Sequence, residues 1–218
     1  MKHKKELFVA VFFLAAFAAW TVLVCLVDVR GVGPAGSCVG FATLNQQIHG
    51  LTGTNMTLYT VTDWLGLLPI FTALGFGILG LIQWIGRRRL LAVDRSILAL
   101  GIFYVTVITV FFFFEMIPIN YRPVLIDGRL EASYPSSTTL LTMCVMPTAA
   151  IELNRRVKCR ALRLALLVTL ASFTTFMVIG RLLSGVHWIS DIIGGALISA
   201  GLVTLYDTFT RVDRSHSN

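Results

Sequence analysis

The stretch Gly180-Arg-Leu-Leu-Ser-Gly-Val-His-Trp-Ile-Ser-Asp191 joins the last two long apolar segments of the chain. Ser184 and Gly185 in its middle predict a break, so we expect the chain to turn back there as a helical hairpin. Arg181 then ends one helix and His187 begins the next. The fold depends on how the other apolar segments surround this hairpin and its polar tip.

The composition is that of a membrane protein. Of 218 residues, 56% are hydrophobic and 13% are charged, and the mean hydropathy is +0.80. A soluble domain of this length needs more polar residues to cover its surface. We therefore predict an all-α, multi-pass cell-membrane protein that forms a single domain over residues 1–218.

Six segments are long and apolar enough to cross a membrane, which takes about 20 residues. We predict spans at about residues 7–27, 58–85, 97–114, 135–153, 164–183 and 189–209. The first follows basic residues, as the core of a cleaved signal peptide does. Because it is longer than such a core and no small-residue cleavage site follows closely, we expect it to remain as an anchor.

Basic residues sort to one side of these spans. Fourteen of the 18 Lys and Arg residues lie in the amino-terminal segment, the second and fourth connections and the tail. Because cytoplasmic loops are enriched in Lys and Arg, we expect both termini in the cytoplasm and the hairpin tip outside. Topology thus explains the net charge of +7, and no basic stripe with interleaved aromatic residues predicts nucleic-acid binding.

Two further outer segments lie beside the hairpin tip. Residues 28–57 are Gly-rich, and we expect a short interfacial helix at about 39–48. Residues 115–134 lead into Tyr134-Pro135-Ser136-Ser137-Thr138, where proline suits the first turn of a helix. Free amides at that helix start would bind an anion, although capping alone also explains them. Asp63 either lines the same pocket or caps its helix. Arg129 and Glu131 are expected to be solvated loop charges, with closure of their loop over a head group as the alternative.

His187 and Asp191 are four residues apart, about 40° around a helix, and so share one face. A carboxylate there would accept the Nδ1 proton of the imidazole and leave Nε2 as a nucleophile, as in a catalytic triad. Across the hairpin, the Arg181 guanidinium would hold phosphate oxygens. A structural His–Asp pair beside an interfacial arginine is the alternative.

These residues resemble the signatures of the type 2 phosphatidic acid phosphatase (PAP2) superfamily. The hairpin looks like the third signature, S-R-x5-H-x3-D, and residues 134–138 take the place of the second, P-S-G-H. Tyr121-Arg122-Pro123 looks like the end of the first, K-x6-R-P. The resemblance covers nearly the whole chain. It implies a PAP2-like six-helix bundle that removes phosphate from a membrane lipid without a metal or cofactor.

By this resemblance, His187 would attack phosphorus and form a phosphohistidine, and Asp191 would orient it. The residues that would hold the phosphate oxygens are Arg181, Arg122, Ser136, Ser137 and Thr138, with Glu115 and Tyr121 as further pocket residues.

Two positions depart from the family pattern. Thr138 stands where the family has a second histidine, which protonates the leaving oxygen, and a threonine hydroxyl is too weak an acid for that step. Glu115 stands where the family has a lysine. Its carboxylate would repel phosphate unless it is protonated or paired with Arg122 or Arg181.

The missing acid favours one substrate class. A lipid phosphate monoester leaves as an alkoxide, which needs a proton, whereas a diphosphate leaves as phosphate, a better leaving group. We therefore expect a polyprenyl diphosphate in preference to phosphatidate or phosphatidylglycerophosphate. Two alternatives stay open: transfer of a phosphoryl or head group to an alcohol, and an inactive PAP2-like protein that binds anionic lipid or assists a membrane complex.

Overall fold

The computed structural model describes residues 2–215, with side chains described for residues 4–211. The described part is helical, with two short 3-10 turns and no β-strand. Its α-helices are α1 (Lys2–Leu26), α2 (Ala42–Thr52), α3 (Met56–Leu65), α4 (Leu67–Arg87), α5 (Arg95–Met116), α6 (Ser137–Arg156), α7 (Arg160–Leu183) and α8 (Ile189–Ser215).

The all-α membrane fold is confirmed. Within residues 2–215, five helical segments are long and apolar enough to cross a membrane: α1, the α3–α4 pair, α5, α7 and α8. The interfacial helix expected at 39–48 is α2, which begins and ends a few residues later. The last helix runs past its predicted end at residue 209.

The fourth predicted span is α6, which is more polar than the other five. It has 20 residues and is about 30 Å long at 1.5 Å per residue, enough to cross a bilayer core. It contacts α4, α5, α7 and α8, and much of its surface is buried among them. The Thr148 hydroxyl donates to the Cys144 carbonyl oxygen at 2.8 Å, whereas the buried hydroxyls of Thr139 and Thr142 have no hydrogen-bond partner among the described residues. An inner helix can therefore carry polar residues that a lipid-facing one cannot.

The second predicted span is two helices rather than one. The chain bends at Gly66, whose amide hydrogen-bonds to the carbonyl oxygens of Thr62 and Asp63, both at 3.0 Å. Pro69 follows in the first turn of α4 and has no amide hydrogen to donate to the Leu65 carbonyl. The bend lets α3 pack against α7, close to the hairpin tip.

The apolar core lies where α5, α6 and α8 meet. It is formed by Leu100, Phe103, Val107, Leu140, Cys144, Ile198, Leu202 and Tyr206. The first helix packs along α8. Its Trp20 indole donates to the Ser190 carbonyl oxygen at 3.0 Å, and Thr21 hydrogen-bonds to the Tyr134 hydroxyl at 2.7 Å. The first apolar segment is thus an integral part of the bundle.

One end of the bundle carries a charged network. Glu152 on α6 is fully buried and accepts from Arg155 at 2.8 Å, Arg156 at 3.1 Å and the Tyr206 hydroxyl at 3.0 Å. Arg156 also pairs with Asp94 at 3.0 Å, before α5. The basic connections meet at this end, and the hairpin tip lies at the opposite end of the same helices.

Two glycines allow the close packing around the hairpin. Gly185 has φ +66°, and a Cβ there would lie 1.8 Å from the Gly53 carbonyl oxygen, so the turn requires glycine. A Cβ on Gly194 would lie 2.6 Å from the Tyr134 ring. Contact with glycine therefore fixes the segment that leads into α6 against α8.

Candidate active site

His187 lies in the turn between α7 and α8 and is 2% exposed. The turn is tied to its surroundings through the Ser184 carbonyl oxygen, which accepts from the Asn55 amide at 2.9 Å, and through the buried Trp188 indole. That indole donates to the Tyr121 carbonyl oxygen at 2.8 Å. These contacts, before and after His187 in the sequence, hold the turn and therefore the imidazole in place.

The expected direct contact between Asp191 and His187 is wrong: the Ser133 hydroxyl lies between them. Ser133 Oγ is 3.0 Å from His187 Nδ1 and donates to Asp191 Oδ2 at 2.5 Å. The Ser133 carbonyl oxygen is also 3.2 Å from Nδ1. The residue spacing places the two side chains on one face but does not show that a serine from another segment enters between them.

The Asp191 carboxylate is fully buried and surrounded by donors. Besides Ser133, Oδ2 accepts from the Trp188 amide at 3.0 Å. Oδ1 accepts from the Asn120 side-chain amide at 3.1 Å and from the Ser190 hydroxyl at 3.3 Å. Several donors to one carboxylate offset the cost of burying it, so its position is well fixed.

The other imidazole nitrogen faces a guanidinium. Arg122 Nη1 lies 3.3 Å from His187 Nε2. Because arginine only donates, Nε2 accepts here and the proton of the neutral ring is on Nδ1. Burial, followed by the charges of Arg122 and Arg181, holds the pKa of His187 well below its usual value, with the Ser133 backbone contact opposing. The imidazole is therefore neutral at neutral pH, with its lone pair on the guanidinium side.

Two arginines from different segments converge on the Tyr59 ring. The guanidinium carbon lies 5.0 Å from the ring centroid for Arg181 and 6.0 Å for Arg122. Arg181 is 2% exposed, and its Nη2 donates to Asp63 Oδ1 at 2.8 Å and to Thr138 Oγ1 at 2.5 Å. Its Nε and Nη1 are buried without a hydrogen-bond partner among the described residues. Donors of this kind suit a phosphate group.

Each arginine is paired with a carboxylate that is more exposed than itself. The Asp63 side chain is 57% exposed, against 2% for that of Arg181. Glu131 Oε2 lies 3.0 Å from Arg122 Nε, without the alignment of a hydrogen bond, and its side chain is 38% exposed against 11%. Glu131, expected to be a solvated loop charge, is thus partly exposed and also pairs with Arg122. Asp63 lies at the pocket, which was the first of its two interpretations.

The start of α6 differs from the expected row of free amides. Ser136 is the N-cap residue, and its amide donates to the Asp191 carbonyl oxygen at 3.1 Å. That amide is therefore engaged, whereas the Ser136 hydroxyl is buried without a partner in the described part of the chain. Thr138 reaches Arg181, and Ser137 is half-buried beside a small cavity.

Glu115 and Tyr121 are not brought into the arginine cluster. Glu115 is exposed at the end of α5 and lines the small cavity beside Ser133 and Ser137. Pairing with Arg122 or Arg181 was one way to offset its charge, and these arginines pair with Glu131 and Asp63 instead. Tyr121 contributes its carbonyl oxygen to the Trp188 indole.

Sequence reasoning missed Tyr59, Asn120 and Ser133. Tyr59 lies on α3, which packs against α7 near the site, and nothing in its own sequence neighbourhood signals a site. Ser133 and Asn120 lie in an irregular segment, where the Ser133 amide donates to the Asn120 carbonyl oxygen at 2.8 Å. Ser133 directly precedes the Tyr-Pro-Ser-Ser-Thr motif and Asn120 directly precedes Tyr121-Arg122-Pro123, and this closeness is the signal that favours them.

Comparison with known proteins agrees with this architecture. A sequence model of the PAP2 superfamily matches residues 97–213. The fold is similar to the crystal structure of a transmembrane PAP2 type phosphatidylglycerolphosphate phosphatase from Bacillus subtilis, with a TM-score of 0.66. That match covers 94% of this chain and 96% of the other at 17% sequence identity, so it concerns the fold alone. No curated protein sequence matches this chain significantly. Because the family match spans more than half of the sequence, including the hairpin, the chain belongs to the PAP2 superfamily.

Proposed function

We propose that this protein is a metal-independent lipid phosphatase that releases phosphate through a phosphohistidine at His187. The observation that carries the proposal is the position of His187. It is a buried, neutral imidazole whose Nε2 lies 3.3 Å from the Arg122 guanidinium, with Arg181 in the same cluster. A nucleophile beside two fixed cations suits attack on a bound phosphoryl group.

In the first step, the lone pair of His187 Nε2 forms a bond to phosphorus, and the bond from phosphorus to the leaving oxygen breaks with its electron pair. The bound phosphate would take over the hydrogen bond that Arg122 makes to Nε2, which frees that lone pair. Water then adds to phosphorus, the N–P bond returns its pair to Nε2, and inorganic phosphate leaves.

Phosphate binding requires the arginines to exchange partners. Arg181 and Arg122 are buried, whereas Asp63 and Glu131 are more exposed. We therefore expect the carboxylates to turn outward into water while the guanidiniums stay. The unpartnered Nε and Nη1 of Arg181 and the Ser136 hydroxyl would complete the phosphate site.

The favoured substrate is a polyprenyl diphosphate. Thr138 takes the position of the family's acid, and its hydroxyl is engaged with Arg181. With no strong acid at that position, the substrate with the better leaving group loses less rate. The structural neighbour's name points to phosphatidylglycerophosphate, a monoester, as the competing candidate. Transfer of the phosphoryl group to an alcohol would use the same first step.

The site is proposed to face the extracytoplasmic side, with both termini in the cytoplasm. The basic connections and the buried Glu152 network lie at the opposite end of the helices from His187. Positive connections are enriched on the cytoplasmic side. Cysteine-accessibility labelling of residues 87–89 and of residue 129 in intact cells would decide the orientation.

A phosphate-release panel on purified protein in lipid tests the function. Polyprenyl diphosphate is compared with phosphatidylglycerophosphate and phosphatidate, and His187→Ala serves as the inactive variant, with folding checked by thermal unfolding. We expect release that depends on His187 and is fastest from the diphosphate. Faster monoester turnover would contradict the substrate assignment, and no release from any lipid would favour the inactive, lipid-binding alternative.

A further inference from the structure

We propose that Ser133 is a positioning residue that transmits the charge of Asp191 to His187 through its hydroxyl. The inference rests on the proposed function and adds to it a residue that belongs to none of the three signatures. The carboxylate and the imidazole are joined by Ser133, with Oγ 2.5 Å from Asp191 Oδ2 and 3.0 Å from His187 Nδ1.

The directions of these hydrogen bonds follow from the number of protons. An ionised carboxylate only accepts, so the single Ser133 hydroxyl proton goes to Asp191. The same hydroxyl oxygen then accepts, and the proton between it and the ring belongs to His187 Nδ1. Arg122 independently requires Nε2 to accept. Both contacts therefore specify the same tautomer, with the lone pair on the side of the arginines.

The Ser133 carbonyl oxygen, 3.2 Å from Nδ1, also favours this tautomer, so the hydroxyl is not needed for tautomer choice alone. Its separate contribution is electrostatic. As the bond from Nε2 to phosphorus forms, the ring becomes cationic with its proton still on Nδ1. The hydroxyl, polarised by the short hydrogen bond to Asp191, stabilises that cation more strongly than a neutral hydroxyl would. No proton needs to move from His187 to Ser133 or from Ser133 to Asp191.

The backbone holds Ser133 in place independently of its hydroxyl. Its amide donates to the Asn120 carbonyl oxygen at 2.8 Å, and the next residue, Tyr134, is packed against Gly194 and hydrogen-bonded to Thr21. We therefore expect Ser133→Ala to keep the local fold. The substitution removes the link and leaves the carbonyl contact and the other donors to Asp191.

The test is a double-mutant cycle with Ser133→Ala and Asp191→Asn, measured as phosphate release. Loss of a hydrogen bond to a charged group predicts that Ser133→Ala lowers kcat by about 10- to 100-fold with little change in KM. The double variant should be no slower than Asp191→Asn, and Ser133→Thr should recover part of the rate. Ser199→Ala, which removes a buried hydroxyl in the middle of α8, is the matched control and should keep the wild-type rate.

Additive losses in the cycle, or wild-type kcat in Ser133→Ala, would overturn the proposal. A readout without turnover separates this failure from failure of the proposed function. The chain has four histidines, so the His187 imidazole can be followed by ¹⁵N NMR and assigned with His187→Ala. We expect Asp191→Asn to shift the Nδ1 resonance when Ser133 is present and to have little effect in Ser133→Ala. Equal shifts with Ser133 and with Ser133→Ala would refute the link through the Ser133 hydroxyl, even if the protein has no measured activity.

Discussion

Asp63→Asn provides a quantitative test of the phosphate site. Asp63 pairs with Arg181 at 2.8 Å, and its side chain is 57% exposed. If phosphate must displace this carboxylate, removing its charge strengthens substrate binding. A pair with one partner in water contributes about 0.2–1 kcal/mol. The substitution should therefore lower KM by about 1.4- to 5-fold with little change in kcat.

The assay is steady-state phosphate release at several lipid concentrations, together with inhibition by inorganic phosphate, which should tighten by a similar factor. Asp28→Asn is the matched control, because Asp28 lies between α1 and α2 and pairs at 2.7 Å with Arg30, which is not one of the two clustered arginines. Its KM should match that of the wild type. A KM that rises about tenfold in Asp63→Asn would refute the displacement reasoning and show that Asp63 holds Arg181 in its productive position.

Three further predictions concern other parts of the site. Thr138→His should raise turnover of lipid phosphate monoesters more than that of diphosphates in the release assay, and no selective gain would contradict the role assigned to position 138. Because the pKa of His187 is lowered, the fall of kcat/KM on the acid side should have an apparent pKa below the ordinary imidazole value of about 6.5. An apparent pKa above neutral pH would contradict a neutral nucleophile. Gly194→Val should lower the unfolding temperature and the activity together, because a Cβ there would lie 2.6 Å from the Tyr134 ring, whereas Gly75→Val, in open space on α4, should affect neither strongly.

The helical frame could be predicted because its signal is local. The long apolar segments located the long helices to within a few residues, apart from the earlier start of α1 and the longer end of α8. The break at Gly66 was missed because the segment is apolar on both sides, so hydropathy alone continues across it. The polar residues of α6 are tolerated because the helix is buried among four neighbouring helices, and this burial depends on tertiary packing.

The candidate site was only partly predictable. The spacing of Arg181, His187 and Asp191 places them at one hairpin, since the turn and the helix period fix their faces. It does not reveal that Ser133 lies between the imidazole and the carboxylate, because that contact joins segments 54 and 58 residues apart. The same limit applies to the carboxylates on the two arginines, whose pairing depends on how the loops fold back.

The central claim is that His187 is the nucleophile of a lipid phosphatase, and trapping the intermediate tests it most directly. Wild-type protein in lipid is mixed with polyprenyl diphosphate labelled with ³²P in the terminal phosphate and is then denatured in alkali. The account predicts a label on the protein that is stable to base, labile to acid and located at His187 by peptide mapping. The label should be absent in His187→Ala. Phosphate release without such a label, or a label that persists in His187→Ala, would contradict the account.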